Sequence, residues 1–176
     1  KYNSEHFNAF ESPNYPNLAE AGINLKFNYG AIHYSTSPKE LKIHTGLDTN
    51  IGILKIYPGI SKEIIRTVLG IKNLKAVILE TYGAGNAPTE SWFLNELKLA
   101  IEKGMIIFNV TQCSAGRVDM SKYETGNELQ RLGVVSGYDI TTEAAVAKIM
   151  HILGNNHDLE RKKIMLNESI SGEITK

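Results

Sequence analysis

One cysteine, Cys113, is all that 176 residues hold, so no intrachain disulfide can form. A single thiol fits a reducing compartment. Charge of one sign is lacking too. Nineteen Lys and Arg meet nineteen Asp and Glu, for a formal net charge of zero. A dedicated nucleic-acid surface shows a basic excess, so none is expected. No apolar run approaches the roughly 18 residues that a membrane helix needs, so no membrane partner is expected either. The opening Lys1-Tyr2-Asn3-Ser4-Glu5-His6-Phe7 has no charged region followed by an apolar core, so no signal peptide is expected. The five histidines (His6, His33, His44, His151 and His157) show no H-x-x-x-H spacing, and one cysteine cannot make C-x-x-C. No metal site is expected from them. Internal repeats and low-complexity tracts are absent.

What is present is a globular composition, 42% hydrophobic and 22% charged. The length allows about one domain with chain to spare, and a core of that size needs no staples. Residues 1–22 are rich in turns, with Pro13 and Pro16 as punctuation. Asn17-Leu18-Ala19-Glu20-Ala21 reads as a short helix closed by Gly22. Ile23–Phe27 alternates apolar and polar residues, the pattern of a strand with one buried face. This segment cannot bury its own Phe and Tyr residues, and reads as the tail of something larger. Residues 28–47 are polar and turn-rich, the composition of a linker.

Beyond residue 48 the pattern becomes regular. Ile51–Tyr57, Ala76–Glu80, Met105–Val110 and Gly133–Gly137 read as strands. Between and after them lie helices. One is capped by Ser61, with Ile64, Ile65, Val68 and Leu69 on one face. A second runs from Thr89 or Glu90 through Lys103 and ends at Gly104, with Phe93, Leu94, Leu97 and Ile101 inward. A third starts at Thr141-Thr142-Glu143 and runs through Leu153. A fourth is capped by Asp158 and runs to about Leu166. Strands alternating with helices predict an α/β fold, a three-layer sandwich around a mainly parallel sheet. Ligands in such folds sit off the carboxyl ends of the strands. Those ends are Tyr57-Pro58-Gly59, Thr81 to Pro88, and Thr111 to Gly116, the most polar and glycine-rich loops of the regular part.

The loop Tyr82-Gly83-Ala84-Gly85-Asn86-Ala87-Pro88 holds G-x-G without the third glycine of a dinucleotide fingerprint. Its glycines suit either a strand-to-helix turn or the close approach of a ligand. In Thr111-Gln112-Cys113-Ser114, a nucleophilic cysteine would want a histidine and an orienting acid. None of the five histidines falls at the carboxyl end of a predicted strand. Cys113 therefore reads as a small buried thiol at a strand end. A binding role for the Thr111 and Cys113 side chains stays open. Trp92 and Phe93 read as core or interface, and Arg161-Lys162-Lys163 as a solvated helix face. No complete nucleophile–base pair is visible, so the residues alone supply no reaction.

Six segments carry a family likeness in order. They are F-N-A-F-E-S-P-N-Y-P-N-L-A-E-A-G (7–22), I-Y-P-G-I-S (56–61), T-Y-G-A-G-N-A-P (81–88), T-Q-C-S-A-G-R-V (111–118), Y-E-T-G-N-E-L (123–129) and G-V-V-S-G-Y-D-I-T-T-E-A-A-V-A-K (133–148). Together they resemble the C-terminal portion of the bacterial type I, cytosolic L-asparaginases, over nearly all of residues 7–150. The resemblance implies a two-domain enzyme of about twice this length. It implies hydrolysis of the L-asparagine side-chain amide to aspartate and ammonia through an acyl-threonine intermediate, without a cofactor. The family's nucleophilic threonine lies in a T-G-G-T segment, followed by G-T-D-T, and neither occurs here. Gly46-Leu47-Asp48-Thr49 matches neither.

On that likeness, residues 1–28 are the end of a larger N-terminal α/β catalytic domain, 29–47 the interdomain linker and 48–176 the C-terminal α/β domain. The family's lysine precedes the N-A-F-x-S-P-N block, which puts Lys1 in a catalytic place, lowering the proton affinity of the threonine system. The other reading of Lys1 is an ordinary N-terminal lysine. The resemblance further implies a homodimer or tetramer in the cytoplasm, an amidohydrolase of which this portion alone is inactive. It also implies an effector asparagine site at Gly85, Asn86, Thr111 and Cys113. Effector-binding members carry an arginine where this chain has Glu80, whose carboxylate would repel the ligand's own. Two other readings stand beside this one. One is a free-standing amino-acid-binding or assembly module, and the other is part of the related tRNA-dependent amidotransferase subunit.

Overall fold

A computed structural model describes residues 3–7, 9–34, 40, 43–122 and 124–175. The chain divides into two compact units, Lys1–His44 and Thr45–Lys176.

In the first unit, strands β1 (Ala19–Ala21) and β2 (Leu25–Phe27) pair antiparallel, with Ala19 opposite Phe27 and Ala21 opposite Leu25. The helix expected over Asn17–Ala21 is therefore a strand and its flank. Five residues behind Pro16 cannot repay helix nucleation, whereas a neighbouring strand supplies ladder bonds at once. The turn closes with Gly22 N–H donating to the Asn24 carbonyl at 3.2 Å, and Asn28 N–H to that of Leu18 at 2.8 Å. Both strands are exposed along their whole length, so neither face of Leu25–Phe27 is buried within the unit. Phe7, Phe10, Ile23 and Phe27 all face out of it. Burying such side chains stabilises by about 1.5–3 kcal/mol each, so an isolated hairpin of this kind is marginal.

The second unit holds a four-stranded parallel sheet in the order β3 (Ile51–Lys55), β4 (Ala76–Thr81), β5 (Ile106–Thr111), β6 (Val135–Ser136). The central strands are apolar on both faces. Val77, Leu79 and Ile107 face one cluster with Ile65, Phe93, Leu97 and Leu129. Ala76, Ile78, Ile106 and Phe108 face another with Ala145, Ile149, Ile152 and Leu166. Helices α1 (Lys62–Leu69), α2 (Ser91–Glu102) and α3 (Glu124–Leu132) supply the first cluster. Helices α4 (Thr142–Leu153) and α5 (Leu159–Asn167) supply the second. The three-layer α/β architecture is as expected.

Helix starts follow their caps. Ser61 Oγ accepts from Ile64 N–H, Thr141 Oγ1 from Ala144 N–H and Asp158 Oδ1 from Arg161 N–H. Each such cap contributes on the order of 1 kcal/mol. Helix α2 starts after Glu90 with no side-chain cap bond. Details also depart from expectation. Strand β3 stops at Lys55, β6 is two residues long, and α3 lies where the sequence shows no helical period. Of the inward face expected for α1, Ile65 is buried while Ile64 is exposed. Phe93 is core and Trp92 half-buried beside it, their rings edge-on with centroids 5.9 Å apart. Among the described residues, no helix is long and apolar enough to cross a membrane.

Candidate functional site

Strands β4 and β5 end in register at Thr81 and Thr111. Side chains alternate along a strand, so Thr81, Asn109 and Thr111 share the face that carries α1–α3. The loops beyond them meet at the carboxyl edge. Thr111 Oγ1 donates to the Gly83 carbonyl at 2.7 Å and accepts from Cys113 N–H at 3.1 Å. One hydroxyl thus joins the two loops that the sequence singles out. Within the first loop, Tyr82 N–H donates to the Asn86 carbonyl at 2.9 Å, and Asn86 N–H returns a bond to the Tyr82 carbonyl at 2.8 Å. Gly85 closes this turn at φ 112°, and a Cβ there would stand 3.1 Å from Val118 Cγ1. Asn86 Oδ1 accepts from Thr125 Oγ1 of α3 at 3.4 Å.

Of the expected effector residues, Gly85, Asn86, Thr111 and Cys113 therefore come from neighbouring loops of one edge. Cys113 is exposed, not a buried thiol, because it lies two residues past the strand and outside the sheet. Lys1 lies outside the described residues.

Three residues that sequence reasoning did not single out hold this edge together. Gln112 Nε2 donates to the Ile56 carbonyl at 2.6 Å and to the Glu80 carbonyl at 2.8 Å, tying β3, β4 and β5 at their ends. Thr81 Oγ1 donates to Asn109 Oδ1 at 2.7 Å in a fully buried pair. Asn109 Nδ2 has no hydrogen-bond partner among the described residues. An orphaned buried donor costs about 1–3 kcal/mol. A polar residue inside an apolar strand was the available signal.

Glu80 alternates to the opposite face of β4. Its carboxylate accepts from Thr142 Oγ1 at 2.7 Å, beside the N-terminal turn of α4, and faces Lys55 Nζ at 3.6 Å. An acidic group at a helix N-terminus is well placed, and Lys55 partly offsets its charge.

Chemically, the edge offers an amide side chain, a hydroxyl and a thiol from two adjacent loops. These groups recognise polar small molecules. Among the described residues no group of three or more His, Cys, Asp and Glu could hold a metal ion. A cavity of about 320 Å³ lies along this edge, lined by Arg117, Ser121, Gln130, Ser136 and Tyr138 among others. A larger one, about 620 Å³, lies at the other end of the sheet, away from these loops.

The second unit is thus a three-layer α/β domain around a parallel sheet, with polar loops beyond its strand ends. The chain belongs to the Glutaminase/Asparaginase C-terminal domain family, whose pattern matches residues 50–166. It is similar to L-asparaginase 1 of Escherichia coli, 39% identical over 180 residues that cover 99% of this chain and 51% of that protein. It is also 39% identical over 176 residues to the 60 kDa lysophospholipase of Mus musculus, covering 99% of this chain and 31% of that protein. Among solved structures, L-asparaginase I from Vibrio cholerae superposes with a TM-score of 0.91 at 42% identity, covering 99% of this chain and 52% of that one. The likeness to type I L-asparaginases, and to their C-terminal half, is thus established. The chain spans about half the length of the L-asparaginases it matches.

Proposed function

We propose that this chain is the C-terminal portion of an L-asparaginase that hydrolyses the side-chain amide of L-asparagine through a threonine nucleophile outside these 176 residues. The observation that carries this reading is the family match together with the ordered likeness to L-asparaginases along 99% of the chain. In this reading residues 1–28 are the end of the catalytic domain, and their exposed Phe7, Phe10, Ile23 and Phe27 are the surface that the rest of that domain covers. Residues 29–47 are the linker, and 48–176 the smaller domain. Lys1 takes the place of the family's catalytic lysine. The cytoplasm and a homodimer or tetramer follow from the type I resemblance.

The smaller domain has two tasks in this proposal. It supplies part of the subunit-pairing surface, and it holds L-asparagine as an effector at Gly85, Asn86, Thr111 and Cys113. Two adjacent loops with an amide, a hydroxyl and backbone groups suit a zwitterionic amino acid. The Glu80 carboxylate lies on the opposite face of β4, held by Thr142 and faced by Lys55, so the repulsion expected of it is reduced. Calorimetry with L-asparagine tests the site. Saturable binding that disappears in Thr111→Val, while the variant still folds and melts cooperatively, supports it. Thr111→Val binding as tightly as the native chain removes Thr111 from the site. No binding at millimolar ligand leaves the pairing role alone.

A further inference from the structure

We infer that the amino-terminal edge of the sheet carries a second ligand site, for an anionic single-chain amphiphile. The 620 Å³ cavity there opens between the ends of α1 and α2, the residues entering β4 and β5, and α5. Its size falls within the range of about 300–1,000 Å³ usual for small-molecule sites. Nothing in the proposed asparaginase chemistry uses it, because that chemistry belongs to the opposite edge and to the catalytic domain.

Charge defines one half of the ligand. The lining contains Arg66, Lys75, Lys103 and Lys162, against Glu96 as its one carboxylate. Arg66 Nη2 meets Glu96 at 2.9 Å, and Lys75 is bridged to Asp48. These groups answer one another. Lys103 and Lys162 have no carboxylate within 4.0 Å among the described residues, so two positive charges remain for a ligand. The carbonyl ends of α1 and α2 also point to this edge and favour cations there. That pull is damped, because Gly70 N–H donates to the Arg66 carbonyl and Gly104 and Met105 N–H to those of Ile101 and Ala100. The net field still favours an anion.

The apolar lining defines the other half. Leu69, Leu74, Ala100, Met105 and Leu153 form the inner wall. Ile71, Leu99 and Leu159, on the same lining, are 52%, 42% and 36% exposed. An inorganic anion would leave this apolar surface in water, and a neutral hydrocarbon would leave the lysines unanswered. A carboxylate or phosphate monoester on a hydrocarbon chain covers the first and pairs the second.

The test is titration calorimetry of the intact protein with dodecanoate and with dodecyl phosphate, below their micellar concentrations. Dodecanol supplies the same chain without charge, and acetate the same head without a chain. Saturable dodecanoate binding is expected, about tenfold or more tighter than either control and weakened by salt. Lys103→Glu/Lys162→Glu, with Lys103 exposed and Lys162 half-buried, should weaken it by about tenfold or more while the protein still melts cooperatively. Dodecyl phosphate binding alone would assign the head as phosphate. The inference is overturned by equal binding of dodecanol, by an unaffected double variant, or by no saturable binding of either amphiphile.

Discussion

Glu173→Gln is expected to lower the stability of the Thr45–Lys176 unit by about 3 kcal/mol. Lys148 lies on α4 with its side chain 3% exposed, and its ammonium donates to Glu173 Oε1 at 2.6 Å and to the Glu168 carbonyl. Glu173 also accepts from the N–H groups of Ile170 and Ser171, and Ile174 beside it is core. The pair therefore fastens the C-terminal segment over the α4–α5 face. A neutral amide would take away the carboxylate that Glu173 sets against the buried ammonium, the costly way to break such a pair. A drop of roughly 10 °C in melting temperature is the expected readout.

The same pair shapes the acid response. Burial pushes the Glu173 carboxyl up, but the Lys148 ammonium and the backbone donors outweigh it and hold the group at about 2, below its ordinary 4.5. Its contribution is therefore complete above about 4.5 and is lost as pH falls through about 2. Asp48 behaves alike, held at about 2 chiefly by its bond from Lys75. Native stability should fall between these limits, and Glu173→Gln should flatten that fall and leave the Asp48 part. An unchanged slope in urea titrations run across this pH range would refute the assignment.

Gly126→Ala should cost about 2–3 kcal/mol although it adds one methyl to a helix. Helix α3 lies backbone-to-backbone on Met120. A Cβ at Gly126 would stand 2.5 Å from the Met120 carbonyl oxygen and 2.8 Å from its Cα. Alanine's better helix propensity returns only about 1 kcal/mol. Because Thr125 touches Asn86 from the same turn, displacing α3 also loosens the Gly83–Asn86 loop. L-asparagine binding should weaken along with the melt. A variant as stable as the native chain would show that α3 moves without cost.

These contacts mark where sequence reasoning reaches and where it stops. Strands β4 and β5 were legible because burial on both faces leaves continuous apolar runs. The capped helices were legible because Ser61, Thr141 and Asp158 announce their starts. Helix α3 was not, since its buried positions are Gly126 and Leu129, too few for a periodic signal. Its helix is fixed by contact with Met120, a tertiary fact. The β1 strand is not legible because Leu18–Ala21 has helical residue types, while its decisive partner strand lies further along the chain.

At the carboxyl edge, the glycine-rich loop and the T-Q-C segment could be read from their positions after strands. The Thr81–Asn109 pair and the Gln112 bridge could not, because they depend on parallel register between strands. Exposure of Cys113 depends on where β5 ends, which propensity does not fix to a residue.

Ammonia release from L-asparagine tests the central proposal most directly. It should be measured with the 176-residue chain and with the same chain preceded by a catalytic segment bearing T-G-G-T and G-T-D-T. The account predicts turnover from the longer protein and none from the chain alone. Ammonia release by the 176 residues, abolished by substitution of a residue within them, would contradict it.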